Sequence, residues 1–396
     1  MRIGIVTLVG DNYGNKFQNY AVEQLLKKYG AVETFKVERA NGLNTSTNKM
    51  SIKEKLKYSY IKQFLHCRLM SKYDLNNTSR PVLLSVFFAF LNHKKLKRLK
   101  AKRSDNFRKY QDEHLNVSER IITMENCREK EWIESYNCFF CGSDQIWNPT
   151  YATTSELAFL SFAQKRAISL APSFGVSKLP EDACEKYKQW LEYIPVLSVR
   201  EKAGQKIISD LIGKEAELLV DPTMAIDVDI WKSCAKNPGN LPEKYVLCYF
   251  LGHVNSSYKK SIKKFSEEQD LKIVKLFDIE SPQYYTYDPN EVLYSILHAE
   301  YILTDSFHGS VFSILFKRNF FVFDRNEGGQ DMSSRLDTLL ELFDLKGQKY
   351  GVSNEKISIS KWNEVHEIIK TEQENVKKYI DNAICKIAKK EDNNAV

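Results

Sequence analysis

Long apolar runs are missing from this sequence of 396 residues. No stretch of 18 or more apolar residues occurs, which argues against a membrane-spanning helix. Glycine (16) and proline (10) are scarce, so a turn-dense all-β repeat fold is excluded. Hydrophobic residues (43%) and charged residues (28%) are present in ordinary globular proportions, which excludes a disordered chain. The length allows two or three domains.

Several catalytic and metal-binding motifs are also absent. The sequence holds no HExxH, GxSxG or EF-hand loop, and its Asn- and Gly-rich opening loop, residues 10–19, is neither a GxGxxG nor a Walker sequence. Cys138 and Cys141 form a CxxC, but no second CxxC or His pair completes a zinc site. The N-terminus reads as a strand and not as a signal peptide, so we expect a cytoplasmic protein with reduced thiols and no bound metal.

Positive charge is concentrated in one segment. Residues 46–110 hold 17 Lys and Arg against 3 Asp and Glu, whereas the whole chain carries a net charge of only +7. The segment combines an apolar run, residues 82–91, with the Lys- and Arg-rich residues 94–103. These are two membrane-binding signals, so we predict peripheral contact of residues 46–110 with an anionic membrane surface. A solvated charged face is the alternative, and without an RNA- or DNA-binding signature we expect no nucleic acid partner.

Alternating strands and helices predict an α/β fold. A strand, a polar loop, a helix and a second strand open the chain, and the alternation restarts after the Pro- and Gly-rich residues 236–242. We predict two Rossmann-like doubly wound domains that face a cleft, at residues 1–235 and 243–350. A C-terminal helical segment would follow at residues 355–396. The basic residues 41–115 are interpreted as a helical insertion, and residues 104–135 as polar and helical.

Polar residues follow the predicted strand that passes through Phe140. In parallel sheets, ligands bind at this carboxyl edge. Asp144 offers a carboxylate base, Gln145 and Asn148 offer amide hydrogen bonds, and Trp147 offers a ring for stacking. The alternative is a turn held by Asx-type hydrogen bonds, with Trp147 in the core.

A second polar cluster lies between a predicted strand and a predicted helix, Thr304-Asp-Ser-Phe-His-Gly-Ser310. His308 carries the side chain best suited to proton transfer near neutral pH. The free backbone N–H groups of Gly309 and Ser310 at the helix N-terminus would favour an anion. A capping histidine is the structural alternative.

Two arginines extend the candidate anion site. Arg200 ends a short strand, and Arg335 follows Ser333 and Ser334 in the first turn of a helix after paired glycines. Arginine binds phosphate through a planar fork of N–H groups. The alternatives are a surface ion pair at Arg200 and an ordinary helix cap before Arg335.

Taken in order and spacing, these clusters resemble the polysaccharide pyruvyl transferase family over roughly residues 1–350. The motifs that carry the resemblance are Asn12-Tyr-Gly-Asn-x-x-Gln-Asn-Tyr-Ala21, Gly142-Ser-Asp-Gln-Ile-Trp-Asn148, Ser198-Val-Arg-Glu201, Asp221-Pro-Thr223, Thr304-Asp-Ser-Phe-His-Gly309 and Ser333-Ser-Arg-Leu336. The resemblance implies a fold like the GT-B glycosyltransferases. It also implies transfer of pyruvate from phosphoenolpyruvate, as a co-substrate, to a sugar of a lipid-linked or nucleotide-linked saccharide, as a cyclic ketal.

The resemblance also implies roles for individual residues. His308 would be the acid/base, with Asp144 as the second catalytic group. Residues expected to bind phosphoenolpyruvate are Arg200, Arg335, Ser306, Gly309, Ser310 and Ser334. Residues expected to bind the acceptor are Gln145, Trp147, Asn148, Asn15 and Gln18. Ser306 stands where many family members have arginine, so one expected anion contact is missing.

Two other functions stay open at this point. A GT-B glycosyltransferase would use the same helix N-termini to hold the diphosphate of a nucleotide sugar. A non-catalytic glycan-binding protein on the same fold would bind an acceptor without turnover and would tolerate loss of His308.

Overall fold

The computed structural model describes residues 1–38, 92–325, 334–352 and 355–392. Most of the basic insertion, including the apolar run 82–91, lies outside the described residues. The paired glycines before Arg335 and the neighbouring Ser333 lie outside them too.

A parallel sheet forms the first half of the described chain. Its strands are β1 (Arg2–Val6), β2 (Ala31–Val37), β3 (Val117–Ile122), β4 (Cys138–Cys141) and β5 (Ala167–Ser169). They are ordered β3-β2-β1-β4-β5. A bridge between Ile168 and Val196 connects this sheet to a short parallel pair, β6 (Ser198–Val199) and β7 (Glu217–Leu218).

The inner strands of this sheet are buried on both faces. On β4, Cys138 and Phe140 pack into one apolar core, and Phe139 and Cys141 pack into another. Successive side chains of a strand point to opposite faces, so β4 reads as a continuous apolar run. The two thiols of the CxxC therefore lie on opposite sides of the sheet.

Seven helices accompany this sheet in the described part of the chain. They are α1 (Tyr13–Lys27), α2 (His93–His114), α3 (Lys130–Glu134), α4 (Glu181–Glu192), α5 (Lys202–Ile212), α6 (Pro222–Ala225) and α7 (Val228–Cys234). Short 3-10 helices span Glu156–Phe159 and Gln164–Arg166.

Two local predictions are wrong. The predicted opening loop at residues 10–19 is mostly helical, because the Asn12 side chain accepts a hydrogen bond from the Gly14 N–H and caps α1. Residues 104–135 are not uniformly helical, because α2 ends at His114 and β3 follows. β3 is an edge strand in which polar residues, 118–120, occupy half of the six positions, so it lacks the apolar run that marks the inner strands.

A second parallel sheet follows. Its strands are β8 (Tyr245–Tyr249), β9 (Lys272–Lys275), β10 (Tyr301–Thr304) and β11 (Asn319–Val322), in the order β11-β10-β8-β9. The helices are α8 (Ser256–Glu268), α9 (Pro282–Tyr285), α10 (Pro289–Leu297), α11 (Phe307–Leu315), α12 (Ser334–Leu342) and α13 (Ile359–Asp392), and a 3-10 turn spans Lys346–Gln348. Among the described helices, none combines the length and apolar character needed to cross a membrane.

The last helix returns to the first sheet. On α13, the Tyr379 hydroxyl donates to the Ser169 carbonyl at 2.7 Å, and the Gln373 amide donates to the carbonyls of Met224 and Ile226. Two doubly wound parallel sheets and a helix that crosses back make up the fold. The prediction of an α/β, GT-B-like arrangement of two Rossmann-like domains is therefore confirmed.

One apolar core joins the two halves. Phe17 on α1, Trp231 on α7 and Phe312 on α11 pack against one another, with ring centroids 4.8 to 5.8 Å apart. Trp231 is fully buried, and its indole N–H donates to the Thr223 carbonyl at 2.9 Å. The cleft between the domains is thus closed at its base by shared packing.

We predict that Trp231→Ala lowers the free energy of unfolding by about 3–5 kcal/mol, because it opens a cavity in this shared core. Urea unfolding should show both domains losing stability together. Trp190→Ala, at a partly buried position of the first domain only, is the matched control and should cost less. A second domain that unfolds at an unchanged midpoint in Trp231→Ala would contradict the shared core.

Candidate active site

The carboxyl ends of the two sheets face the same cleft. β1 lies between β2 and β4, and β8 lies between β9 and β10, so each sheet has a point where successive connections leave to opposite sides. Doubly wound sheets bind ligands at this point. Asp144 lies in the loop after β4, and His308 lies in the first turn of α11, which follows β10.

A buried guanidinium holds two carboxylates together. The Arg200 side chain is fully buried, and its Nη2 donates to Asp144 Oδ1 at 2.9 Å. Its Nη1 donates to Asp221 Oδ2. The Asn15 amide of α1 donates to the other oxygen of Asp144. The predicted alternative of a surface ion pair at Arg200 is therefore excluded.

Asp221 is the site residue that the sequence-based list lacks. It caps α6, with Oδ1 accepting from the Thr223 N–H at 3.0 Å, and Oδ2 also accepts from the Ser143 hydroxyl at 3.2 Å. As a charged site residue it has a weak sequence signal, because an Asp before Pro222 is an ordinary helix cap. It appears in the sequence analysis only as the first residue of the motif Asp221-Pro-Thr223, without a role. That motif and its position directly after the apolar residues 218–220 are the features that could have identified it.

His308 lies beside this ion network. Its Nε2 is 3.8 Å from Asp221 Oδ2, and it is buried without a hydrogen-bond partner in the described part of the chain. The ring packs on the N-terminus of α1, where a Cβ on Gly14 would come within 2.7 Å of Cε1. Glycine at position 14 therefore makes room for the imidazole.

The surroundings keep the imidazole neutral. Burial lowers the pKa of His308, and the positive charges of Arg200 and Arg335 lower it further. The carboxylates of Asp221 and Asp144 raise it, but the resulting pKa remains below the ordinary value of 6.5. At neutral pH the ring can accept a proton, and the two carboxylates would stabilise the imidazolium that forms.

Both carboxylates are held ionised. Burial alone would raise the pKa of Asp144 and of Asp221, yet the positive charge of Arg200 brings both below the usual range. Asp144 also has a left-handed backbone with φ of 60°, which aspartate tolerates better than most residues. This backbone turns the carboxylate back toward Arg200.

Arg335 is a buried cation with less compensation. In the described residues no carboxylate lies within 4.0 Å of it, and one end of the Gln145 amide is 3.0 Å from both terminal nitrogens, where an amide oxygen accepts from both. Burial and the nearby Arg200 lower its pKa to about 10. The guanidinium carbons of Arg200 and Arg335 lie 4.5 and 5.8 Å from the centroid of the Phe307 ring. The two arginines thus belong to one cluster.

The N-terminus of α11 differs from the prediction. Ser306 is the cap, its hydroxyl accepts from the Gly309 N–H at 3.3 Å, and its carbonyl accepts from the Ser310 N–H at 3.0 Å. The expectation that Gly309 and Ser310 carry free N–H groups is therefore wrong, because the helix begins at Phe307. On α12, the buried Ser334 hydroxyl has no partner among the described residues and lies next to Arg335 in sequence.

Trp147 does not offer a ring to the cleft. It is fully buried, stacks on Phe159 with a centroid distance of 4.7 Å, and donates its indole N–H to the Ala158 carbonyl at 3.3 Å. The structure thus supports the alternative that placed Trp147 in the core.

The other predicted acceptor contacts divide into two groups. Gln18 and Asn148 are buried, and their side chains bind Thr7 Oγ1 and the Thr150 N–H. They serve the loops that carry the site. Asn15 and Gln145 contact the charged cluster itself through Asp144 and Arg335. The arrangement provides a proton-accepting ring, two ionised carboxylates and a cation with unused capacity, which suits transfer of an anionic group.

The fold is two-domain and GT-B-like, and the site gathers a buried histidine, two carboxylates and two arginines in one cleft. A family model described as polysaccharide pyruvyl transferase matches residues 12–327. The chain therefore belongs to the polysaccharide pyruvyl transferase family. No curated protein matches its sequence significantly.

Solved structures with distant similarity cover nearly the whole chain. Anabaena HepE, in complex with UDP and glucose, matches with a TM-score of 0.45 and 9% identity over 97% of this chain and 99% of its own. Neisseria meningitidis UDP-GlcNAc 2-epimerase, bound to UDP-GlcNAc, matches with a TM-score of 0.41 and 11% identity over 98% and 100%. The wall teichoic acid polymerase TagF matches with a TM-score of 0.38 and 11% identity over 96% and 89%.

The electrostatics of the site predict two opposite shifts in the pKa of His308. Asp221→Asn removes a negative charge and should lower this pKa, whereas Arg335→Gln removes a positive charge and should raise it. Titration of the histidine Cε1–H signals by NMR would measure both shifts, with His308→Gln used to assign the resonance. A parent pKa above 6.5, or shifts of the same sign in both variants, would contradict this description.

Proposed function

We propose that the protein transfers the pyruvyl group of phosphoenolpyruvate to a sugar of a polysaccharide precursor, as a cyclic ketal, with His308 as the acid/base. Family membership establishes the class of transferase. The proposed reaction and the role of His308 rest on its position. His308 is buried in the cleft, its Nε2 lies 3.8 Å from Asp221 Oδ2, and it belongs to the same charged cluster as Arg335.

The chemistry requires one proton relay. Protonation at C3 of phosphoenolpyruvate makes C2 electrophilic, and one sugar hydroxyl adds there while it loses its proton. The C2–O bond to phosphate then breaks and inorganic phosphate leaves. A second hydroxyl of the same sugar adds to C2, loses its proton and closes the ketal. In our proposal, neutral His308 accepts the proton of the first hydroxyl and delivers it to C3, while Asp144 and Asp221 stabilise the transient imidazolium. The proton of the second hydroxyl leaves with the inorganic phosphate.

The same site needs a grip on the donor anion. The charge of Arg200 is already shared between two carboxylates, so Arg335 is the better candidate for the direct contact with phosphate or carboxylate. Ser334, with its unused hydroxyl beside Arg335, fits a supporting hydrogen bond. In this proposal Arg200 keeps the cluster together and contributes its field, and Ser306 caps α11. Asn15 and Gln145 would meet the acceptor hydroxyls.

The released product distinguishes this proposal from the nucleotide-sugar alternative. A pyruvyl transferase given phosphoenolpyruvate and a saccharide acceptor releases inorganic phosphate. A glycosyltransferase releases a nucleotide, and a glycan-binding protein releases neither. Assays of phosphate and nucleotide on the same reaction, with mass spectrometry of lipid-linked and nucleotide-linked saccharides, would identify the reaction and the acceptor class.

We predict that His308→Gln and His308→Ala lower turnover by a factor on the order of 10²–10⁴, the usual contribution of a general acid/base. The matched control is His298→Ala, which alters an exposed histidine that stacks on Tyr294. It should retain parental activity. Folding, checked by circular dichroism, should be intact in all three proteins. Turnover of His308→Gln within a factor of a few of the parent would remove His308 from the mechanism.

We also propose that the protein works at the cytoplasmic face of a membrane, through peripheral contact of the basic segment. Lys94, Lys95, Lys97 and Arg98 at the start of α2 are exposed and available for such contact. Arg103, farther along the helix, is not. Its guanidinium carbon lies 4.8 to 5.3 Å from four aromatic rings and its Nη1 donates to the Tyr285 carbonyl.

This proposal predicts salt-sensitive flotation with anionic liposomes. Each cation near an anionic surface contributes about 1 kcal/mol before screening. Replacing Lys94, Lys95, Lys97 and Arg98 by glutamine should therefore abolish most of the binding and leave turnover of a soluble acceptor unchanged. Four glutamines at the exposed Lys186, Lys188, Lys206 and Lys263 form the charge-matched control. Equal recovery of parent and quadruple variant would mean that these residues form only a solvated face.

A further inference from the structure

A polar cavity of about 370 Å³ lies between α1 and α2, near the carboxyl ends of β1 and β2. At roughly 30 Å³ for each water in the liquid, this volume has room for a diphosphate. Its charged and polar lining consists mainly of Lys16, Lys36, Arg108, Asp11, Asp105 and Gln111. The cavity is separate from the charged cluster around Arg200, and the function proposed above makes no use of it.

Lys16 is the unusual member of this lining. The residue is only 2% exposed, and in the described part of the chain its one hydrogen bond is from Nζ to Gln111 Oε1 at 2.8 Å. No carboxylate of the described residues lies within 4.0 Å, although an ammonium group has three hydrogens to donate. A buried cation is costly unless it is paired. Burial lowers the pKa of Lys16 to about 8, and the charge of Lys36 contributes to this decrease, although the carboxylates of Asp11 and Asp112 act in the opposite direction.

Two carboxylates also line the cavity, and each has a partner in the same lining. Asp105 forms ion pairs with Arg108 and, at 3.3 Å, with Lys109. Asp11 accepts a hydrogen bond from the Ser104 hydroxyl. Lys16 thus remains a buried ammonium without an ion pair among the described residues, and Lys36 adds a second positive charge to the lining, so a bound anion would offset both charges.

We propose that this cavity binds a phosphate or diphosphate group of the acceptor, held by Lys16 and Lys36. The assignment of the bound group to the acceptor rests on the proposed function. The proposal that the cavity binds an anion is independent of that function. The bound group is distinct from the phosphate of phosphoenolpyruvate. Gly14 faces His308, and Lys16 lies two residues later, about 200° around the helix axis. The body of α1, about 10 Å across, therefore separates the two positions.

This placement gives the basic insertion a second role. The wall of the cavity opposite α1 is formed by α2, the described end of that insertion. A saccharide whose reacting sugar lies at His308 would reach around the N-terminus of α1 with its phosphorylated end. Lipid-linked and nucleotide-linked saccharides both carry a diphosphate at that end, so the chemistry recognised is shared.

Binding of three diphosphates to the full-length protein tests the proposal. Calorimetric titrations would use pyrophosphate, geranyl diphosphate and UDP with the parent, Lys16→Met, Lys27→Met and Arg335→Gln. Lys27 lies on the same helix, is about half exposed and serves as the charge-matched control. We expect the Kd to rise at least tenfold in Lys16→Met and to stay within a factor of two in Lys27→Met and Arg335→Gln. Tighter binding of geranyl diphosphate than of UDP would identify a lipid-linked acceptor, and the reverse a nucleotide-linked one.

Other results would overturn the site. The proposal fails if the parent binds none of the diphosphates, or if Lys16→Met binds them as tightly as the parent does. It also fails if Arg335→Gln loses binding, because the anion would then lie in the donor site. Lys16→Met removes a buried cation that has no ion pair among the described residues. The melting temperature of this variant without ligand should therefore equal or exceed that of the parent. If Lys16→Met fails to fold, Lys36→Gln, at a half-buried position, takes its place. Lys36→Gln should raise the Kd at least threefold, and an unchanged Kd in this variant would also contradict the proposal. Failure of pyruvyl transfer alongside Lys16-dependent binding would refute the proposed reaction and leave the anion site standing.

Discussion

The site depends on one buried ion network, in which Arg200 binds both Asp144 and Asp221. Its three members come from the ends of β4, β6 and β7, so a single guanidinium fixes the relative positions of three loops. Charges buried in this way are tolerated because each is paired, and removal of one partner from such a network typically costs 3–5 kcal/mol. The network also sets the charge that His308 experiences.

Helix α1 connects this ion network to the apolar core between the two domains. Phe17 anchors the helix in the core that joins the two domains, and its first turn brings Gly14 against His308 and Asn15 to Asp144. Lys16, one residue further on, faces the polar cavity on the other side of the helix. The same helix therefore supplies residues to the apolar core at the base of the cleft and to the charged cluster at its mouth. A change in the packing of α1 would therefore displace His308, the carboxylates and the proposed acceptor site together.

Much of this organisation was predictable because inner parallel strands are buried on both faces and read as short apolar runs. Polar residues directly after such runs meet at one edge, which is why His308, Asp144 and Arg200 could be grouped from sequence. Arg335 was added because it follows paired glycines in the first turn of a helix. Side-chain direction could not be predicted. Trp147 follows the same strand as Asp144, yet it turns into the core. Asp221 was missed because its partner, Arg200, lies in another loop, and ion pairs between loops leave no local pattern. The expectation of free N–H groups at Gly309 and Ser310 was wrong because Ser306 caps the helix, which therefore begins earlier than predicted.

In the proposed reaction, C2 of phosphoenolpyruvate becomes a ketal carbon while C3 gains a proton from the site. The most direct measurement is mass spectrometry and NMR of the saccharide product formed from phosphoenolpyruvate in D₂O. We expect one pyruvyl group per sugar, one deuterium in its methyl group, and one inorganic phosphate released per ketal. Release of a nucleotide with no pyruvyl group on the product would contradict it, as would a pyruvyl methyl group that contains no deuterium.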